Sequence, residues 1–111
     1  NAKWKSSDAR VLADLDYYHL SQEPYAKALE AQGIRRDEIG SHAALADTSL
    51  ELATVPDMVR TDPMKNTNLM IAGQGVYGGN PARSSASLGQ LGIDLIVSGT
   101  VTAIRKFEAA K

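Results

Sequence analysis

The chain has 111 residues, 12 Lys and Arg against 13 Asp and Glu, a formal charge of −1 and no cysteine. That length allows one domain, residues 1–111, which buries roughly 65% of the surface its unfolded form exposes. With no basic block to track a phosphate backbone and no thiol, nucleic acid is not an expected partner, disulfides are excluded, and any metal needs His and carboxylate ligands.

No stretch approaches about 18 apolar residues and no basic-then-apolar leader opens the chain, so the expectation is a soluble, cytoplasmic protein with no membrane partner. The first residue is Asn1 rather than methionine, which fits either a trimmed chain or a piece of a longer polypeptide, and the pattern below favours the second expectation.

Asn1 to Arg10 is polar, holds the sole tryptophan, Trp4, and reads as an irregular entry. Val11 to Leu20 mixes aliphatic and aromatic residues with a partial two-residue alternation, which predicts a strand with Asp14 and Asp16 on one face. Ser21 to Gln32 predicts a helix capped by Ser21, with Pro24 in its first turn, Tyr25 and Leu29 facing the core, and Gly33 at its end. Ile34 to Gly40 reads as a charged surface connection.

A second helix is predicted over roughly Ala43 to Thr54, closed by Pro56 and largely buried, since Leu45, Ala46, Leu50, Leu52 and Ala53 cover most of its circumference. Pro56 to Thr67 reads as loop, Asn68 to Ala72 as a short apolar strand or buried turn, and Gly73 to Gly79 as too glycine-rich for a regular element. Asn80 and Pro81, as N-cap and N1, open a helix running to about Ala109, whose Gly89, Gly92 and Gly99 require a closely packed neighbour, expected on another chain.

Three constellations carry chemistry. Gly73-x-Gly75-x-x-Gly78 matches the dinucleotide fingerprint, but Asp94 falls inside a helix with no strand after it, so a tight glycine turn competes with nucleotide binding. Asp16-x-x-His19 is a possible ligand pair or an ordinary surface pair. His42 with Asp47 is the third: an imidazole suits proton transfer at neutral pH and a nearby carboxylate orients it. In a regular helix the two lie about 140° apart, so they converge only if His42 sits at or before the cap. A histidine cap with a first-turn acid explains the same residues equally well.

His42-Ala43-Ala44-x-x-Asp47-Thr48-Ser49, followed by Pro56-Asp57-Met58-Val59-Arg60, resembles the His-Ala-Gly-x-x-Glu-Thr-Ser signature of the creatininase (creatinine amidohydrolase) family. Gly78-Gly79-Asn80-Pro81-Ala82-Arg83-x-x-Ala86 with Ile93-Asp94-Leu95-Ile96-Val97 is similar to that family's Gly-Asp-Pro-Arg-x-Ala-Ser segment, so the resemblance spans most of the chain from about Arg10.

The resemblance implies a layered α/β fold, a central sheet flanked by helices, of which this chain is the carboxy-terminal half. It implies a metal-dependent amidohydrolase acting on a cyclic amide or other non-peptide C–N bond, commonly assembled as a hexamer. His42 takes the proton-transfer role, Asp47 stands where the family has glutamate, Ala44 stands where it has glycine, and Tyr18 is the nearest equivalent of a pocket-lining aromatic two dozen positions before the histidine. The family's metal-ligand motifs are not found here, so zinc, manganese or iron is expected on a separate or cleaved amino-terminal half, with no metal ligand in this chain. The alternatives are a non-catalytic assembly subunit of the same fold and a nucleotide-binding module through Gly73 to Gly78.

Overall fold

The computed structural model describes residues 6–64 and 75–110, so Trp4, the Asn68 to Ala72 run and Gly73 lie outside the described residues. Among the described residues six helices form the frame: α1 (Asp16–Leu20), α2 (Glu23–Ala31), α3 (Arg36–Ile39), α4 (Leu45–Thr54), α5 (Thr61–Met64) and α6 (Ala86–Ala109). Two three-residue strands, β1 (Gly40–His42) and β2 (Tyr77–Gly79), pair antiparallel, and 3-10 turns occupy Pro56–Met58 and Pro81–Arg83.

This overturns the layered α/β expectation. The described chain is mostly helical, and its sheet of two short antiparallel strands supports no flanking layers. The decisive segment is Val11 to Leu20, whose second half is α1 instead of a strand. The Asp14 carboxylate accepts the Asp16 N–H at 3.1 Å, a local bond that turns the chain into a helix rather than leaving the group for a sheet neighbour.

The α2 prediction holds in its interior. Tyr25 and Leu29 are fully buried, and the helix ends in a Schellman motif in which Gly33, at φ +78°, donates to Glu30 O at 2.9 Å and Ile34 donates to Leu29 O at 3.2 Å. Its N-cap is Gln22 and not Ser21. The segment after it is no mere surface connection: α3 buries Glu38 and Ile39.

Along α4 only Leu45 and Ser49 are buried, so this helix is less enclosed than its composition suggests. The segment read as loop from Pro56 holds the single turn α5, with Pro63 within it. Asn80 does act as a cap, accepting the Ala82 N–H at 2.9 Å, but for the 3-10 turn. The long helix starts afresh at Ala86, capped by Ser85, and ends at Ala109 as expected.

Helix α6, 24 residues and about 36 Å long, is the spine against which α1, α2 and α4 pack. Its glycine side meets neighbours within this chain. A Cβ on Gly89 would collide with the Ser49 carbonyl of α4, and one on Gly92 would lie 2.8 Å from Leu50 and 3.0 Å from the Tyr25 ring. The core is thus Tyr25, Ala26, Leu29, Ile34, Ile39 and Leu45, with Leu50, Leu88, Leu91 and Leu95 against it. Tyr25 threads it, its hydroxyl 3.1 Å from Leu88 O and 3.4 Å from Ala46 O.

The far half of α6 is barer. Val97, Val101 and Ile104 are exposed, and contrary to the composition reading α6 is long and apolar enough to cross a membrane by length and composition. Arg10 donates to Ala110 O and lies 4.6 Å over the Phe107 ring, tying the entry segment to this end.

Candidate functional site

His42 is delivered by backbone approach, not by helix periodicity. β1 and β2 pair in the register His42 with Tyr77, extended by a bridge between Ile39 and Gly79. A Cβ on Gly79 would sit 2.5 Å from Glu38 O and 2.7 Å from Gly40 N, so only glycine allows the strands this close. Ser41 reinforces the pairing by donating its hydroxyl to Tyr77 O at 3.3 Å. The consequence is an exposed imidazole edge-to-face on the Tyr77 ring, centroids 6.1 Å apart at 88°.

The next residue carries the strain. Ala43 has φ +48°, the one positive-φ non-glycine residue among those described. Left-handed backbone costs an alanine roughly 1–2 kcal/mol. Two side chains from the first turn of α4 hold it there: Asp47 Oδ2 accepts the Ala43 N–H at 3.2 Å, and the Thr48 hydroxyl donates to the Ala43 carbonyl at 3.1 Å. Ala44, 1% exposed and extended, then caps α4.

The His42 and Asp47 expectation is therefore modified. His42 does precede the cap, but the Asp47 carboxylate accepts from the Ala43 N–H and not from the imidazole, and Asp47 is exposed on a helix expected to be largely buried. It orients the histidine's backbone. Asp47 also lies between two clefts: one of about 230 Å³ that includes Ser21, Glu23, Arg36 and Ser41, and one of about 390 Å³ that includes Thr48, Glu51, Met58, Arg60 and Val76. In the smaller cleft Arg36 donates to Glu23 and holds its carboxyl below the ordinary 4.5.

Tyr18 is on α1, 63% exposed, edge-to-face on Tyr17 at 6.5 Å, and lines neither cleft. Asp16 and His19 border a shallow depression with Leu95, Ser98 and Thr102 of α6. Gly75 and Gly78 have positive φ, and Gly78 lies within β2 instead of opening a helix; the fingerprint's remaining glycine, Gly73, is outside the described residues.

Two residues escape the sequence reading. Tyr77 has no local signal, since only the pairing with β1 makes it a neighbour of His42. Glu38 is 7% exposed; it accepts the Arg35 N–H at 3.1 Å and an Arg83 guanidinium N–H at 3.1 Å, joining α3 to the turn before α6. An acid three residues after the helix boundary is a capping spacing, and Arg35-x-x-Glu38 shows it.

No family model, curated protein or solved structure matches this chain. Among the described residues no three His, Cys, Asp or Glu side chains gather in a group that would hold a metal ion.

Proposed function

We propose that this chain supplies one wall of a metal-dependent amidohydrolase site that opens a cyclic amide or another non-peptide C–N bond, with His42 as its acid/base. The observation that supports it most is the turn beside the histidine: a strained Ala43 whose N–H and carbonyl are both held by side chains of α4. Strain held from two sides beside an exposed imidazole supports reading His42 as a positioned group.

In this role neutral His42 accepts a proton from the water that attacks the amide carbon, then returns it to the leaving nitrogen. Asp47 and Thr48 keep the backbone fixed so that the ring stays on its Tyr77 seat. A metal, zinc, manganese or iron, belongs to an amino-terminal half on a separate or cleaved chain, and nothing in the proton transfer described for His42 depends on ligands from this one. The exposed Val97, Val101 and Ile104, at i, i+4 and i+7, offer that partner or a further copy in a homo-oligomer an apolar face. The same face suits a second reading, a non-catalytic assembly subunit.

The test is turnover of a cyclic amide by the completed assembly. His42→Ala should lower it by a factor of roughly 10² to 10⁴ with binding of the partner retained. Unchanged turnover removes the catalytic role and leaves the assembly subunit.

A further inference from the structure

The larger cleft beside Asp47 is lined by side chains of both signs. On α4, Asp47 and Glu51 stand four residues apart on one face; Arg60, after the Pro56–Met58 turn, lines the same cleft, and Met58, Val59 and Met64 add apolar lining. One Asp47 oxygen is engaged by Ala43 N–H, and among the described residues neither Glu51 nor Arg60 has an ion-pair partner. Two like charges at i,i+4 repel, and an arginine within the same cleft that forms no bridge to them leaves both signs available to a third body.

We propose that this cleft is a subsite for a small zwitterion, an amino acid whose ammonium faces Asp47 and Glu51, whose carboxylate faces Arg60, and whose carbon chain lies along Met58 and Met64. The inference rests on the amidohydrolase reading for its meaning. Hydrolysis of an amide takes up one water, breaks the C–N bond and forms a C–O bond, and at neutral pH the acid proton passes to the amine, giving one carboxylate and one ammonium. In a ring both stay on one molecule. A neutral cyclic amide presents no charge to side chains of either sign, whereas the opened ring presents both, so the cleft holds product in preference to substrate. Because all three charged side chains are exposed, solvent screening keeps the affinity near the millimolar range.

The experiment is an amide-resolved NMR titration of the ¹⁵N-labelled chain with 4-aminobutanoate, 6-aminohexanoate, hexanoate and the lactam of 6-aminohexanoate. The expected result is saturable shifts at Ala43, Glu51, Arg60 and Val76 for at least one of the amino acids, with hexanoate and the lactam roughly tenfold weaker. Arg60→Gln and Glu51→Gln should each weaken the amino acid by roughly tenfold while leaving the circular dichroism spectrum unchanged. No saturation by about 100 mM, or equal binding by hexanoate, or full binding by Arg60→Gln, overturns the subsite. His42→Ala should bind the amino acid like the parent, so loss of the catalytic reading and loss of the subsite are separate results.

Discussion

Asp47 accepts the N–H of Ala43 at 3.2 Å, and this bond reaches back from a helix's first turn to a residue in left-handed backbone. Ala43→Gly should stabilise the fold by about 0.5–1 kcal/mol, the relieved strain less the added freedom of the unfolded chain. On the proposed function, the same variant should lower turnover because the histidine's neighbour is no longer confined. Asp47→Ala should cost about 1 kcal/mol and Asp47→Asn, which keeps an acceptor, less. Urea unfolding beside turnover measures both, and an Ala43→Gly variant that gains stability and keeps full activity contradicts the positioning role.

Gly89 predicts a larger effect. Its missing side chain is the space into which the Ser49 carbonyl of α4 fits, so Gly89→Ala should cost about 2–4 kcal/mol despite alanine's better helix propensity. Thermal melting of this variant beside Ala86→Gly, an exposed position in the first turn of α6, separates packing from propensity.

Tyr25 gives the fold an alkaline limit. Burial pushes its phenol from 10.0 up to about 12, against the lowering effect of Ser49. The unfolded phenol ionises first, so the stability linked to Tyr25 is complete below pH 10 and declines as the pH rises toward 12, by roughly 2–3 kcal/mol. Tyr25→Phe should lose about 1 kcal/mol at pH 7 with its hydroxyl contacts, and its stability should fall less steeply above pH 10. Denaturant midpoints at pH 8, 10 and 11 decide it.

Acid acts on the opposite side of the molecule's charge balance. The Arg36 guanidinium, through its hydrogen bond, holds Glu23 below 4.5, so the stability linked to this pair is present above 4.5 and is lost as the pH falls through the lowered folded value. Arg36→Gln should therefore be less stable than the parent at pH 7 and should converge with it at low pH. Parallel curves throughout the acid range would assign the effect to packing of the arginine stem.

What the sequence made legible follows from how local each cause is. α2 and α4 announce themselves through apolar spacing and through Gly33 and Pro56, and their observed ends lie within two residues of those signals. α1 misleads because Tyr17, Tyr18 and the flanking leucines are as suited to a strand as to a helix, and the helix is favoured by the Asp14 bond together with packing against α6. Gly75 to Gly79 misleads for the opposite reason: β2 exists only because Gly79 lies against Gly40, 39 residues earlier in the chain, and no local propensity records a pairing of that range. The candidate site shares both fates. His42 and Asp47 are visible as chemistry, whereas the left-handed Ala43 that links them and the tyrosine that seats the ring are products of tertiary contact.

A ladder of two three-residue strands has too few bonds to stand alone, and the one described here carries the imidazole. Its anchors are a glycine approach at one end and an α4 side-chain clasp at the other, while the helices rest on the larger apolar mass around α6. Warming should therefore silence the chain in two stages, with the His42 and Tyr77 resonances broadening while the helical signal is still whole. On the proposed function, activity would then be lost with this small sheet, before the helices melt.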